Sequence, residues 1–126
     1  MKKMKTLSGA LLLFTLLFVA CGKNDDDNPN TYPKQVSVTY RLSSTSATTL
    51  SNANYTNQSG GSDQVQNFSL PFSKTISMTV NYGDPLYLTF YDSNGSQIKM
   101  EILVNNEVVN TKTYSTTSGT VDYYFK

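Results

Sequence analysis

The chain has no histidine, no tryptophan and a single cysteine, Cys21, among its 126 residues. Each shortage removes a chemistry. Without histidine the usual Ser–His and Cys–His nucleophilic pairs cannot be assembled, and imidazole metal sites are excluded. With one cysteine there is no disulfide within the chain, so a folded unit must stand on its core alone. Charge of either sign is scarce and nearly balanced, ten Lys/Arg against nine Asp/Glu. No basic patch marks a nucleic-acid surface. Stretches rich in Ala, Glu, Lys and Leu at helical spacing are missing. Abundant instead are Thr, Ser, Asn and nine tyrosines, a balance that favours β-structure.

The one long apolar run is at the front. Lys2, Lys3 and Lys5 precede fourteen mostly apolar residues, 7–20, which lead into Cys21. A basic head followed by an apolar segment of this length has the anatomy of a secretory signal peptide. It is short for a membrane-spanning helix, which needs about 20 apolar residues. The run ends Phe18, Val19, Ala20, Cys21, Gly22. That ending resembles the lipobox of bacterial lipoproteins, with Phe18 where leucine is usual. The resemblance implies a diacylglycerol on the Cys21 sulfur, cleavage before it and acylation of the new amine, hence a covalent lipid anchor in the membrane. One acyl chain holds a protein only marginally, whereas two or three hold it stably. A plain signal peptide and an uncleaved anchor helix are the alternatives.

The expected organisation is a leader at 1–20, a lipidated acidic tether at 21–33 and one small domain at 34–126. From Cys21 onward there are seven Lys/Arg and nine Asp/Glu, a net of −2; from Pro33 onward the two balance at six each. Residues 22–32 are polar and cannot bury apolar area, so they are expected to stay disordered. Asp25, Asp26 and Asp27 resemble the acidic export signal that sends lipoproteins to the outer cell surface in some Gram-negative anaerobes. They serve equally as a solvated spacer extended by self-repulsion. The expected location is therefore the bacterial envelope, with the outer membrane favoured.

Downstream the period is two. Val36, Val38, Tyr40 and Leu42 alternate with polar residues over 35–42. Weaker or shorter strands follow at 50–56, with Ala53 and Tyr55 inward, at 65–70, stopped by Pro71, and at 75–80. Leu86, Leu88 and Phe90 share one face of a strand over 86–91, leaving Tyr87 and Tyr91 on the other. Asp92, Ser93, Asn94 and Gly95 form a turn. Residues 97–104 and 107–114 read as a hairpin about Asn105 and Asn106, whose tolerance of positive φ suits a type I′ turn. That loop places Ile102 opposite Val109, Met100 opposite Thr111, and Leu103 opposite Val108 on an outer face. Val121, Tyr123 and Phe125 close the pattern. Seven to eight short strands without helices predict an all-β, single antiparallel β-sandwich; an open barrel is the alternative.

Several landmarks, in order, are similar to the MmpS family of small membrane-associated proteins. They are Val38-Thr39-Tyr40, an Asn-Tyr-Thr segment before a glycine loop, Leu70-Pro71-Phe72-Ser73-Lys74, and the run from Ile102 through Asn105-Asn106 to Val109. The likeness spans 36–125. Phe72 stands where the family usually has tryptophan, and Asn105-Asn106 where it has Asp-Gly. The resemblance implies an immunoglobulin-like sandwich outside the inner membrane, and a role assisting large transporters of the resistance-nodulation-division class. The family is normally held by a transmembrane helix rather than by lipid.

No catalytic constellation emerges. Asp63, Asp84 and Asp92 fall in expected turns, where aspartate is a turn former. Glu101 near Lys99 and Lys112 reads as a surface charge pair. Asp92, Asn94 and Gly95 resemble part of a calcium loop, but the glycine comes too early and Leu103 stands where the closing glutamate belongs. No metal or cofactor is expected, and no enzyme. What remains is surface. Tyr87 and Tyr91 could stack on sugar rings or contact a protein, or merely shield the sheet by cross-strand packing. Leu103 and Val108 are candidates for an apolar contact. The function expected is binding in the envelope, as accessory to a transporter or, alternatively, as a carbohydrate-binding or adhesion module.

Overall fold

The computed structural model describes residues 31–126. The expected leader, Cys21 and the three aspartates of the tether lie outside the described residues. Eight strands follow one another: β1 (Lys34–Ser43), β2 (Thr49–Thr56), β3 (Ser62–Ser69), β4 (Phe72–Val80), β5 (Pro85–Tyr91), β6 (Ile98–Val104), β7 (Glu107–Tyr114) and β8 (Ser118–Tyr124). They form two four-stranded antiparallel sheets, ordered β4-β1-β6-β7 and β3-β2-β5-β8. The fold is the expected β-sandwich. In an immunoglobulin sandwich strand B lies beside E, and C′-C-F-G make the other sheet. The pair β1–β4 and the order β3-β2-β5-β8 reproduce those neighbours. The β6–β7 hairpin, between the strands in the F and G places, crosses to the first sheet and occupies the free edge of β1.

The alternation written in the sequence becomes the core. Val36, Val38, Tyr40 and Leu42 of β1 are buried, as are Leu86, Leu88 and Phe90 of β5, Ile98, Met100 and Ile102 of β6, and Val121 and Phe125 near the C-terminus. On β2 both Ala53 and Tyr55 point inward as expected, but so does Leu50, which has the opposite parity. The switch lies where Asn67, facing that stretch from β3, takes φ 47°. Each buried Val, Leu, Ile, Phe or Met side chain contributes roughly 1.5–3 kcal/mol relative to exposure.

Four expectations need correction. β3 begins at Ser62, not 65, and β4 begins at Phe72, not 75. Both are edge strands, paired on one side only, and their added residues are held by ladder bonds that leave no apolar alternation to read. In the β6–β7 hairpin Val104 pairs with Glu107 and Leu103 with Val108 as expected, but a bulge follows. Ile102 then faces Asn110 and Met100 faces Lys112, in place of Val109 and Thr111. An extra residue on one strand shifts every pair beyond it. Finally, Tyr32, assigned by composition to a disordered tether, is fastened to the domain. Its hydroxyl donates to the Lys126 carbonyl at 2.7 Å, and its ring meets Tyr82 edge-on at 5.9 Å.

Candidate functional site

Because Ala53, Tyr55, Leu88, Phe90 and Val121 point into the core, the residues between them make the outer face of the second sheet. The register sets them in rows. Gln66 lies beside Asn52, and Asn52 beside Tyr91; Gln64 lies beside Asn54, Asn54 beside Thr89, and Thr89 beside Thr120. Tyr87 follows, opposite Asp122. The Tyr87 backbone N–H donates to Thr56 Oγ1 at 2.9 Å.

The tyrosines stand out of this polar field. Tyr87 is 40 % exposed, Tyr91 52 % and Tyr124 46 %. The Tyr87 and Tyr124 rings meet edge-on, 6.2 Å apart at 86°, with their hydroxyls 2.9 Å apart. The hydrogen bond with Tyr87 pushes the Tyr124 phenol above its ordinary range. Cross-strand packing thus accounts for Tyr87 in part, by holding its ring on edge against a neighbour. Tyr91, four residues along the same strand, stands about 13 Å away. Tyr124 was legible only indirectly, as the outward residue between Tyr123 and Phe125.

Beside Tyr87 the surface dips into an open depression of about 360 Å³, lined by Asn54, Thr56, Thr89, Gly60 and Gly61 among others. The Asn57 amide shapes the loop above it. It donates through Nδ2 to Asp63 at 2.9 Å and accepts the Ser59 N–H at 3.0 Å. Gly60, with φ 84°, takes a conformation that side chains resist.

Charge is divided between the sheets. Lys34, Arg41, Lys74, Lys99 and Lys112 all lie on strands of the first sheet, and β2, β3, β5 and β8 carry no Lys or Arg. Asp63, expected in a turn, lies on β3 because the edge strand starts at Ser62, and Asp122 lies on β8; Asp84 and Asp92 are engaged in turns. Asp84 Oδ2 accepts the Asn81 N–H at 2.8 Å, and Asp92 accepts those of Ser96 and Asn94 at 3.0 and 3.4 Å. Burial pushes the Asp92 carboxyl up, but these hydrogen bonds outweigh it and hold the group below the usual carboxylate range. Among the described residues no three or more His, Cys, Asp or Glu gather closely enough to hold a metal ion.

The second expected patch is different. Leu103 and Val108 are register partners, but Leu103 is only 3 % exposed while Val108 is 49 % exposed. The Leu103 side chain is therefore closed to a partner, and Val108 remains a single exposed apolar residue, which is ordinary on a protein surface. Glu101, expected near Lys112, pairs in register with Arg41 and Thr111.

Residues 17–123 match the family described as Mycobacterium membrane protein. The match takes in 107 of the 126 residues, and so nearly all of the eight strands. No curated protein matches the chain.

Proposed function

Because the chain belongs to the Mycobacterium membrane protein family, we propose that it is an envelope-tethered module that works by binding, not by catalysis. One observation carries this reading: a whole sheet face presents tyrosine, amide and hydroxyl groups to solvent, while Asp84 and Asp92 are committed to turns and Asp63 to the Asn57 amide. Cys21, lipidated through a thioether, supplies the attachment. Its acyl chains hold the domain at the membrane by the burial of their methylene groups. The acidic residues 25–27 keep the sandwich clear of the headgroups and suit the outer membrane. A large envelope transporter is the partner that the family likeness suggests, with lipid replacing the usual helix as the anchor.

Two measurements test this. Intact mass of the mature protein is expected to show cleavage before Cys21 and an added diacylglycerol, and Cys21→Ala is expected to move the protein from the membrane to the soluble fraction. An unmodified thiol would remove the anchor. Photo-crosslinking in cells from position 91 is expected to trap an envelope component, and the same probe at position 112 on the first sheet is not. A transporter subunit trapped from position 91 supports the accessory role.

A further inference from the structure

We infer that the outer face of the second sheet is a binding platform for an uncharged oligosaccharide, laid along β5 from the Tyr87–Tyr124 pair to Tyr91. The inference rests on the binding-module reading above and names the class of ligand.

The first argument is charge. A ligand bearing phosphate, sulfate or carboxylate needs cations to offset its desolvation. The four strands of this sheet supply none, and the charge that the register sets beside Tyr87 is an acid, Asp122. Every strand-borne Lys and Arg of the described domain lies on the other sheet. Nucleic acids, anionic headgroups and sulfated glycans are therefore disfavoured here, and a neutral ligand is not.

The second argument is the match of functional groups. Asn52, Asn54, Gln64 and Gln66 form two amide columns side by side on β2 and β3. Each column has one long contact along its strand, Asn54 to Asn52 at 3.4 Å and Gln66 to Gln64 at 3.3 Å. An amide offers two N–H donors and two lone pairs, so one long contact leaves most of that capacity for a ligand. Sugar hydroxyls are donors and acceptors at once and pair with such groups in either sense. Tyrosine supplies the remaining part, an apolar ring against the C–H face of a sugar with a hydroxyl at its rim.

The third argument is shape. Tyr87 and Tyr91 are separated by about 13 Å along the strand, the reach of a short oligosaccharide and not of one ring. The edge-on contact with Tyr124 fixes the Tyr87 ring, so less freedom is lost on binding. The open depression of about 360 Å³ beside Tyr87, lined by Gly60 and Gly61 among others, gives one end of the platform a recess where a terminal ring can sit. An apolar protein partner would find little to bury on the amide columns.

The test uses the full-length protein in detergent micelles. Probes are immobilised short oligosaccharides of glucose, galactose, mannose and N-acetylglucosamine, each with a sulfated counterpart. Retention on at least one neutral series is expected, with little on its sulfated form. Tyr91→Ala and Asn54→Ala are each expected to weaken it roughly tenfold, and Lys112→Ala on the other sheet to leave it unchanged. Unchanged thermal midpoints exclude unfolding; should Tyr91→Ala prove unstable, Asn54→Asp, which adds a charge to the platform, is expected to abolish retention of the same glycan. Failure of every neutral series overturns the inference, as does preference for sulfated probes or retention that survives the Tyr87→Ala/Tyr91→Ala double change. A protein trapped from position 91 with no neutral glycan retained overturns it too, while leaving the binding-module reading intact.

Discussion

The buried Tyr40 hydroxyl on β1 donates to the Thr56 carbonyl at the end of β2, 2.7 Å away, and so joins the two sheets from inside. Thr56 is used twice, since its Oγ1 accepts the Tyr87 N–H at 2.9 Å. A core tyrosine and a tyrosine of the candidate face thus hang from one residue. The rings of Tyr40 and Tyr55 lie 5.2 Å apart beneath that junction.

Tyr40→Phe keeps the ring and deletes the bond, leaving the Thr56 carbonyl without its partner. A loss of about 1–3 kcal/mol is expected, read from urea denaturation. The pH dependence adds a second readout. Burial raises the Tyr40 phenol above its ordinary value of 10, and burial together with Asp63 raises Tyr55. The folded chain keeps protons that the unfolded chain has released. The stability tied to these groups is whole below about pH 10 and declines as pH rises beyond it. In Tyr40→Phe that alkaline decline is expected to be shallower; an unchanged slope would show that the phenol is not protected.

The two-residue period made the sandwich legible, because half-buried strands write their inner face into the sequence. Val36 to Leu42 and Leu86 to Phe90 announced both sheets. What failed was each place where the backbone acts without an apolar signal. The starts of β3 and β4 are held by edge ladder bonds. The bulge between Ile102 and Leu103 adds a residue that composition does not mark. Tyr91 and Tyr87 were identified as outward, but the amide columns beside them arise from pairing β2 with β3 and with β5, a relationship between distant segments. Leu103 misled for a related reason, since parity gives the side of the sheet and not what covers it.

Asp92 tests the turn that closes β5. Asp92 is 2 % exposed, and its carboxylate accepts two backbone N–H groups. Asp92→Ala is expected to cost about 1–3 kcal/mol by orphaning them. Because the folded-state carboxyl is held below its usual range, its stabilisation is present above about pH 4 and fades as pH falls through the folded value. Asp92→Asn keeps an acceptor, so it is expected to lose less at neutral pH and to flatten the acid limb of a stability–pH curve.

Gly119 on β8 leaves no room for a side chain. A Cβ there would overlap the Tyr114 ring and stand 2.6 Å from Cε1 of Phe90. The Tyr114 hydroxyl donates to the Thr120 carbonyl at 2.7 Å, which pins the ring in place. Gly119→Ala is therefore expected to destabilise the domain by about 1–3 kcal/mol through overpacking. Tyr114→Ala alone also weakens the fold, but the loss in the double variant is expected to be smaller than the sum of the two single losses, because the second change removes the clash made by the first. Strict additivity in thermal midpoints would place the strain elsewhere.

The hairpin tip separates conformation from contact. Asn105 and Asn106 take φ of 51° and 68°, the expected type I′ turn. Asn105 does more: its N–H donates to the Ser37 carbonyl at 2.8 Å and its Oδ1 accepts the Ser37 N–H at 3.0 Å, clasping β1 just beyond the Val38–Val104 pair. Asn106→Gly preserves everything the turn requires and is expected to change stability by less than about 1 kcal/mol. Asn105→Gly keeps the backbone but loses the acceptor, a cost of about 0.5–1.5 kcal/mol. Asn106→Val forces a branched side chain into the left-handed region, at about 1–2 kcal/mol. Chemical denaturation should rank the losses in that order. If Asn106→Val matched the wild type while Asn105→Gly did not, the clasp on Ser37, and not the turn, would set the register of β6 and β7.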